Sequence, residues 1–180
     1  ADTDPHWHLI RPRIERAVSD ATGIIATVPK VIERYREIGL SEAINLSRFR
    51  IMGHPVDTAQ FSPATEHGDS WPIQVVSVTR LVPEKGVYYI LEALAPLIQR
   101  GDVELLFLGR GQMEPLIETE AERRGITDGV RLLGTVPHDE VPNVLRAADI
   151  FVNHAVSIDN WEEYFGAANL EAMACGLPCI

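Results

Sequence analysis

Two carboxylates stand with seven residues between them in the segment Glu163-Tyr-Phe-Gly-Ala-Ala-Asn-Leu-Glu171. A helix starting near Phe165 would set Glu163 in front of its N-terminus and Glu171 about two turns inside it. Eight residues at ~1.5 Å rise separate the pair by roughly 12 Å along the axis. Paired-carboxylate hydrolysis wants about 5 to 9.5 Å, so that chemistry does not fit. The spacing suits an elongated ligand whose anionic centre meets the N–H groups of the helix start, with hydroxyls on either side reaching a carboxylate. A nucleotide sugar has this layout, with a diphosphate between ribose and hexose. The same spacing is also met by a helix-start acid and an unrelated exposed glutamate.

A second feature is Arg80-Leu-Val-Pro-Glu-Lys85-Gly86, which follows an apolar run. Two cations between a strand end and a helix start make a phosphate site. Arginine forks onto two oxygens, lysine supplies a point charge, and the helix end favours anions. A solvated loop with ordinary surface charges has the same composition. After the next apolar run, Gly109-Arg-Gly111 would let a ligand approach the backbone, or would simply turn the chain. The six histidines are scattered. His6 and His8 fall in an irregular start and His54 in a Pro- and Gly-rich passage, while His138 is read as a helix cap. No His, Asp or Glu set has metal-ligand spacing in the regular part of the chain, so neither a metal nor a cofactor is expected.

These residues need strands that end where they begin. From Ile73 onward the expected strands are IQVVSVT, VELLFLG, VRLLG and DIFVN, and LPCI opens a fifth. Between them lie helical patterns in GVYYILEALAPLIQR, in the run from Pro115 to Gly125, in HDEVPNVLRAAD and around NLEAMACG. Pro96 is expected to kink or loosen the first of these helices. Strict alternation with short connections implies an α/β fold, a Rossmann-like doubly wound parallel sheet. In such sheets ligands bind beyond the carboxyl ends of the strands. Upstream, a helix over Ile14–Val18, a strand in GIIATV, a helix from Pro29 stopped by Gly39, and a strand over Arg48–Met52 are expected. The expected division is therefore 1–56 as the end of an N-terminal Rossmann-like domain, 57–72 as a linker, and 73–180 as a C-terminal domain.

The chain has 180 residues, 46% of them apolar and 23% charged, enough to bury a core. Sixteen basic against 26 acidic residues give a net charge of −10, which argues against a nucleic-acid surface. Cys175 and Cys179 lie in the apolar stretch AMACGLPCI and are read as buried small hydrophobes. No run reaches the ~18 to 20 apolar residues of a membrane span. The start ADTDPHWHLIRP has no signal-peptide pattern and begins mid-fold, as the other end stops mid-fold. The expected setting is cytoplasmic.

Taken together, VVSVTRLVPEKG, ELLFLGRG, VRLLGTVPHDEVPNVLRAADIFV and EEYFGAANLEAMACGLP resemble glycosyltransferase family 4, retaining enzymes of the two-domain GT-B fold. The resemblance covers Ile73 to the end. IMGHPVDTAQFSP and SDATGIIATVPKVIERY are similar to the interdomain passage and to the last strand and helix of the N-terminal domain. The resemblance implies that Arg80 and Lys85 hold the donor diphosphate. It implies that Glu163, the catalytic-site carboxylate, bonds hydroxyls of the transferred sugar. Backbone N–H groups around Phe165, Gly166 and Ala167 would touch sugar and phosphate, Glu171 would bind the ribose, and the backbone near Val136 would meet the base. The donor would be a nucleoside-diphosphate sugar, and the acceptor a sugar, lipid or small molecule held by the N-terminal domain. The intact enzyme would be membrane-peripheral at most, and this chain alone inactive. Two departures bear on the site. His54-Pro55-Val56-Asp57 replaces the usual Asn-Gly-Val-Asp, and Tyr164 stands where glycine is commonest, which would narrow a sugar pocket. The Asp-x-Asp metal motif of other sugar transferases occurs as Asp2-Thr-Asp4, far from any strand end, and is read as chance. A nucleotide-binding module without activity, a sugar-nucleotide epimerase and a phosphorylase remain as alternatives.

Overall fold

The computed structural model describes residues 7–39, 46–65, 71–158, 161–164 and 166–180. The chain divides into two units, Ala1–Pro55 with Asp159–Phe165, and Val56–Ile158 with Gly166–Ile180.

In the first unit, helix α1 (Trp7–Asp20) carries Pro12 inside it and begins earlier than expected. His8 therefore lies in a helix and not in an irregular start, while His6 is outside the described residues. Strand β1 (Ile24–Ala26) pairs in parallel with β2 (Phe49–Ile51). Between them runs α2 (Pro29–Glu37), with proline in its first turn. Ala26 and Phe49 are the buried centre, covered by Ile14, Val18, Val31, Ile32 and Tyr35.

In the second unit the strands are β3 (Ile73–Val78), β4 (Val103–Leu108), β5 (Val130–Gly134) and β6 (Ile150–Phe151). They form one parallel sheet in the order β5-β4-β3-β6. The helices are α3 (Val87–Gln99), α4 (Glu114–Arg124), α5 (Val141–Arg146) and α6 (Ala167–Ala174). Successive residues of a strand point to opposite faces. Val75, Leu105 and Phe107 join the core with Ile90, Leu91 and Ile117 of α3 and α4. Val76, Leu108 and Phe151 join the other core with Leu145 of α5 and Ala172 of α6. Both faces are covered, which is why these strands read as unbroken apolar runs. The expected fifth strand begins beside β6: Cys179 bridges Phe151 in parallel, and the Ile180 amide donates to the Phe151 carbonyl.

Four expectations change in detail. Helix α3 continues past Pro96 to Gln99, because Ala95 and Ile98 on either side of it are buried in the core. Helix α5 is shorter than expected, starting at Val141 with Pro142 in its first turn. Cys175 is buried but Cys179 is exposed, because it sits on the outer side of the sheet beside β6. At the start of the expected linker the chain turns inward: the Asp57 carboxylate accepts the Ala59 amide at 2.9 Å, and the turn that follows drives Phe61 into the core at 2% exposure.

Candidate functional site

The order β5-β4-β3-β6 reverses direction between β3 and β6. The chain builds outward from β3 to β5, then returns to the opposite side of β3. At such a reversal α/β sheets take ligands beyond the carboxyl ends of the strands, and the loops leaving β3 and β6 lie at those ends. Arg80 and Lys85 lie on the first loop, and α6 follows the second.

The β3 loop is held by close backbone packing. Leu81 donates to the Arg110 carbonyl at 2.9 Å, and Met113 donates to Leu81 at 2.9 Å. A Cβ at Gly109, whose φ is 146°, would stand 1.9 Å from the Thr79 carbonyl oxygen, and one at Gly111 2.2 Å from that of Leu81. The approach that requires these two glycines is that of the protein's own β3 loop. A short 3-10 turn, Pro83–Lys85, then leads to Gly86 at φ 61°, where α3 begins. A Cβ on Gly86 would lie 1.9 Å from the His154 carbonyl oxygen of the β6 loop. The Val156 amide also donates to the Glu84 carbonyl at 2.9 Å. The loops after β3 and β6 are thus tied backbone to backbone.

On this frame Arg80 is 67% exposed, its guanidinium 3.8 Å from the Glu84 carboxylate. An ion pair that open is easily exchanged for a ligand anion. Lys85 is half-buried. Arg110, at the end of β4, makes a similar exposed pair with Glu114 at 3.0 Å.

Helix α6 begins at Ala167 with Gly166 as its N-cap, and no side-chain hydrogen bond caps it among the described residues. Its orphan N–H groups and partial positive charge are features that favour an anion. The start is fixed by Asn153 after β6, whose amide donates to the Asn169 side-chain oxygen at 3.0 Å. Gly166 sits between them: a Cβ there would be 2.9 Å from the Asn153 amide nitrogen. Glu171 lies one turn inside α6 and not two, since the helix starts at Ala167. Its carboxylate oxygen Oε1 is 2.9 Å from Nε2 of His138. His138 is therefore no side-chain cap of α5, whose N-cap is Glu140. Val136, in the loop after β5, is half-buried against the core that holds Phe61 and Val76.

Burial raises the Cys175 thiol above its ordinary range; Arg146 opposes the shift and the Glu171 charge adds to it. A thiol kept neutral offers no nucleophile. Glu163 and Tyr164 are half-buried in the segment grouped with the first unit. Phe165 lies outside the described residues.

The second unit carries Arg80, Lys85 and Val136 on loops that follow strands, and Gly166, Ala167 and Glu171 at and just inside the start of α6. Residue types alone missed Asn153, Asn169 and the true partner of His138; Asn153 could have been found by its place just after β6, whereas Asn169 and Glu171 meet their partners only through the packing of α6. Among the described residues no group of three or more His, Cys, Asp or Glu could hold a metal ion. No helix among them is long and apolar enough to cross a membrane. A separate apolar trough of about 650 Å³ lies against α3, lined by Trp71, Tyr89, Leu97, Ile150 and Ile180 among others. Among the described residues that line it there is no lysine or arginine.

Comparison with known proteins gives family and fold. A family model described as glycosyl transferases group 1 matches residues 64–180. The chain is 32% identical over 142 residues to the amylovoran biosynthesis glycosyltransferase AmsK of Erwinia amylovora, covering 78% of this chain and 34% of that protein. It is 32% identical over 139 residues to a GDP-mannose-dependent monoacylated alpha-(1-6)-phosphatidylinositol monomannoside mannosyltransferase of Corynebacterium glutamicum, covering 69% and 36%. The chain thus spans about a third of the length of these curated relatives. Among solved structures, Anabaena HepE in complex with UDP and glucose superposes with a TM-score of 0.75 at 20% identity, over 94% of this chain and 46% of that one.

Proposed function

Since the chain belongs to the glycosyl transferases group 1 family, we propose that it is the donor-binding part of an enzyme that moves a sugar from a nucleoside diphosphate to an acceptor, with retention at the anomeric carbon. The observation that carries this reading is that a cationic loop and a helix start both follow the strands of the β3/β6 crossover. The Arg80–Lys85 loop, the side-chain-uncapped start of α6 and Glu171 one turn inside it lie on strand ends locked together at Gly86 and His154. HepE, solved with UDP and glucose, has the same fold over nearly all of this chain. That likeness supports a nucleotide sugar as the ligand.

Each group then has a task. Arg80 and Lys85 neutralise the diphosphate, and the N–H groups at Gly166 and Ala167 receive its oxygens. As the bond to the sugar breaks, negative charge grows on the leaving phosphate. A fixed set of cations and helix-end N–H groups would stabilise that charge without reorganisation. Glu171 accepts from the ribose hydroxyls, and the backbone near Val136 meets the base. Glu163 bonds hydroxyls of the sugar being transferred. With this charge supplied by the protein, binding requires no divalent metal.

The test is calorimetric titration with UDP, GDP and ADP, each with and without its sugar, in buffer and in EDTA. Saturable binding of one of them, unchanged by EDTA, is expected. A flat response to all would overturn the donor assignment, and loss of binding in EDTA would overturn the charge assignment.

A further inference from the structure

The contact between His138 and Glu171 joins two elements that are 33 positions apart in the sequence. His138 comes from the loop after β5, and Glu171 from the helix after β6. The His138 side chain is 67% exposed, while the Glu171 side chain is only 19% exposed. The ring is supported from within. Its centroid is 5.3 Å from that of the buried Phe61, at 54°, and the Gln60 side-chain amide approaches the His138 carbonyl at 3.5 Å. An ionised carboxylate can only accept, so the proton of this hydrogen bond belongs to Nε2.

We propose that His138 is a positioning residue for the nucleoside: by donating Nε2–H to Oε1 of Glu171, it holds that carboxylate ready for the two ribose hydroxyls. This rests on the assignment of Glu171 to the ribose. The acceptor count allows it. A carboxylate has about four lone-pair sites, one goes to His138, and three remain for two hydroxyls. The bond also removes a cost of binding. A glutamate on a helix surface samples several rotamers and loses them when a ligand fixes it. A carboxylate already fixed by a ring that itself rests on a core phenylalanine has lost that freedom in the free protein, and preorganisation of this kind appears as affinity. His138 also stands two residues after Val136. The bond therefore couples the loop proposed to meet the base to the helix proposed to meet ribose and phosphate.

Two substitutions separate the hydrogen bond from the ring. His138→Phe keeps an aromatic ring on Phe61 and loses the donor. His138→Gln loses the ring and can present an N–H from a similar distance. Their affinities are measured by calorimetry with whichever of UDP, GDP and ADP binds the parent chain most tightly, and with its 2′,3′-dideoxy counterpart. The expected result is a loss of about three- to tenfold for His138→Phe, the size of one hydrogen bond. His138→Gln should recover most of it. The dideoxy nucleotide should bind parent and variants alike, and His138→Phe should add nothing in a Glu171→Ala background. The proposal is overturned if His138→Phe leaves affinity unchanged, or weakens both nucleotides equally, as a structural clip would. It is also overturned if His138→Gln is as damaging as His138→Phe. If no nucleoside diphosphate binds, or Glu171→Ala binds like the parent, the ribose assignment fails first and takes this role with it. If Glu171→Ala weakens binding and His138→Phe does not, only the role of His138 fails.

Discussion

Glu171 and Glu163 are asked to bind opposite ends of one ligand, and that makes them separable. Every nucleoside diphosphate carries the ribose assigned to Glu171, so Glu171→Ala should weaken the nucleoside diphosphate and the full donor alike. Loss of a charged hydrogen-bond acceptor costs about 1.5 to 3 kcal/mol, roughly ten- to a hundredfold in affinity. Glu163→Ala should leave the nucleoside diphosphate nearly untouched and weaken the sugar-bearing donor. Titration of both ligands into both variants, after their melting curves have been matched to the parent, checks this. Equal damage to the nucleoside diphosphate from the two changes would show that the sugar is misplaced. A helix start with Glu171 inside it was readable from the sequence, because it is a local pattern. The link from His138 to Glu171 was not. It joins residues far apart in the chain, and an exposed histidine before a helix has the same local appearance as a cap.

At the scale of elements, the crossover depends on glycines that serve different purposes. Gly86 and Gly109 combine a positive φ with a neighbouring backbone oxygen 1.9 Å from where a Cβ would sit, whereas Gly125, at φ 66°, has nothing within 4 Å. Gly125→Ala should therefore cost about 1 to 2 kcal/mol, the left-handed penalty alone. Gly86→Ala and Gly109→Ala should cost clearly more, because a loop backbone must move as well. Chemical denaturation of the three variants gives the comparison, and equal losses would show that the loops are not tightly packed. The alternation of strands and helices after Ile73 was plain in the sequence, since strands covered on both faces must be apolar throughout. The burial of Phe61 was not, because the Pro- and Gly-rich passage around it has the composition of a linker. Its placement comes from the Asp57 turn and from the core it meets. Helix α5 was overestimated because apolar spacing continues past Arg146 to Ala148, and because the polar residues before Val141 resemble a first helical turn.

At the scale of the molecule, the net charge of −10 leaves donor binding to a few converging cations, so diphosphate affinity should fall as salt rises. Transfer of a sugar requires donor and acceptor to be held together. These 180 residues span about a third of the curated relatives, and the chain by itself should transfer no sugar. Turnover by the purified chain with donor and acceptor present would refute that. The central claim is that a nucleoside diphosphate sits at the β3/β6 crossover. It is tested most directly by backbone amide shifts of the isotope-labelled chain during titration with the nucleoside diphosphate that binds. The account predicts saturable shifts at Gly86, Val136, Gly166, Ala167 and Glu171, with Trp71, Leu97 and Ile150 of the apolar trough unmoved. Shifts confined to that trough, with the crossover silent, would contradict it.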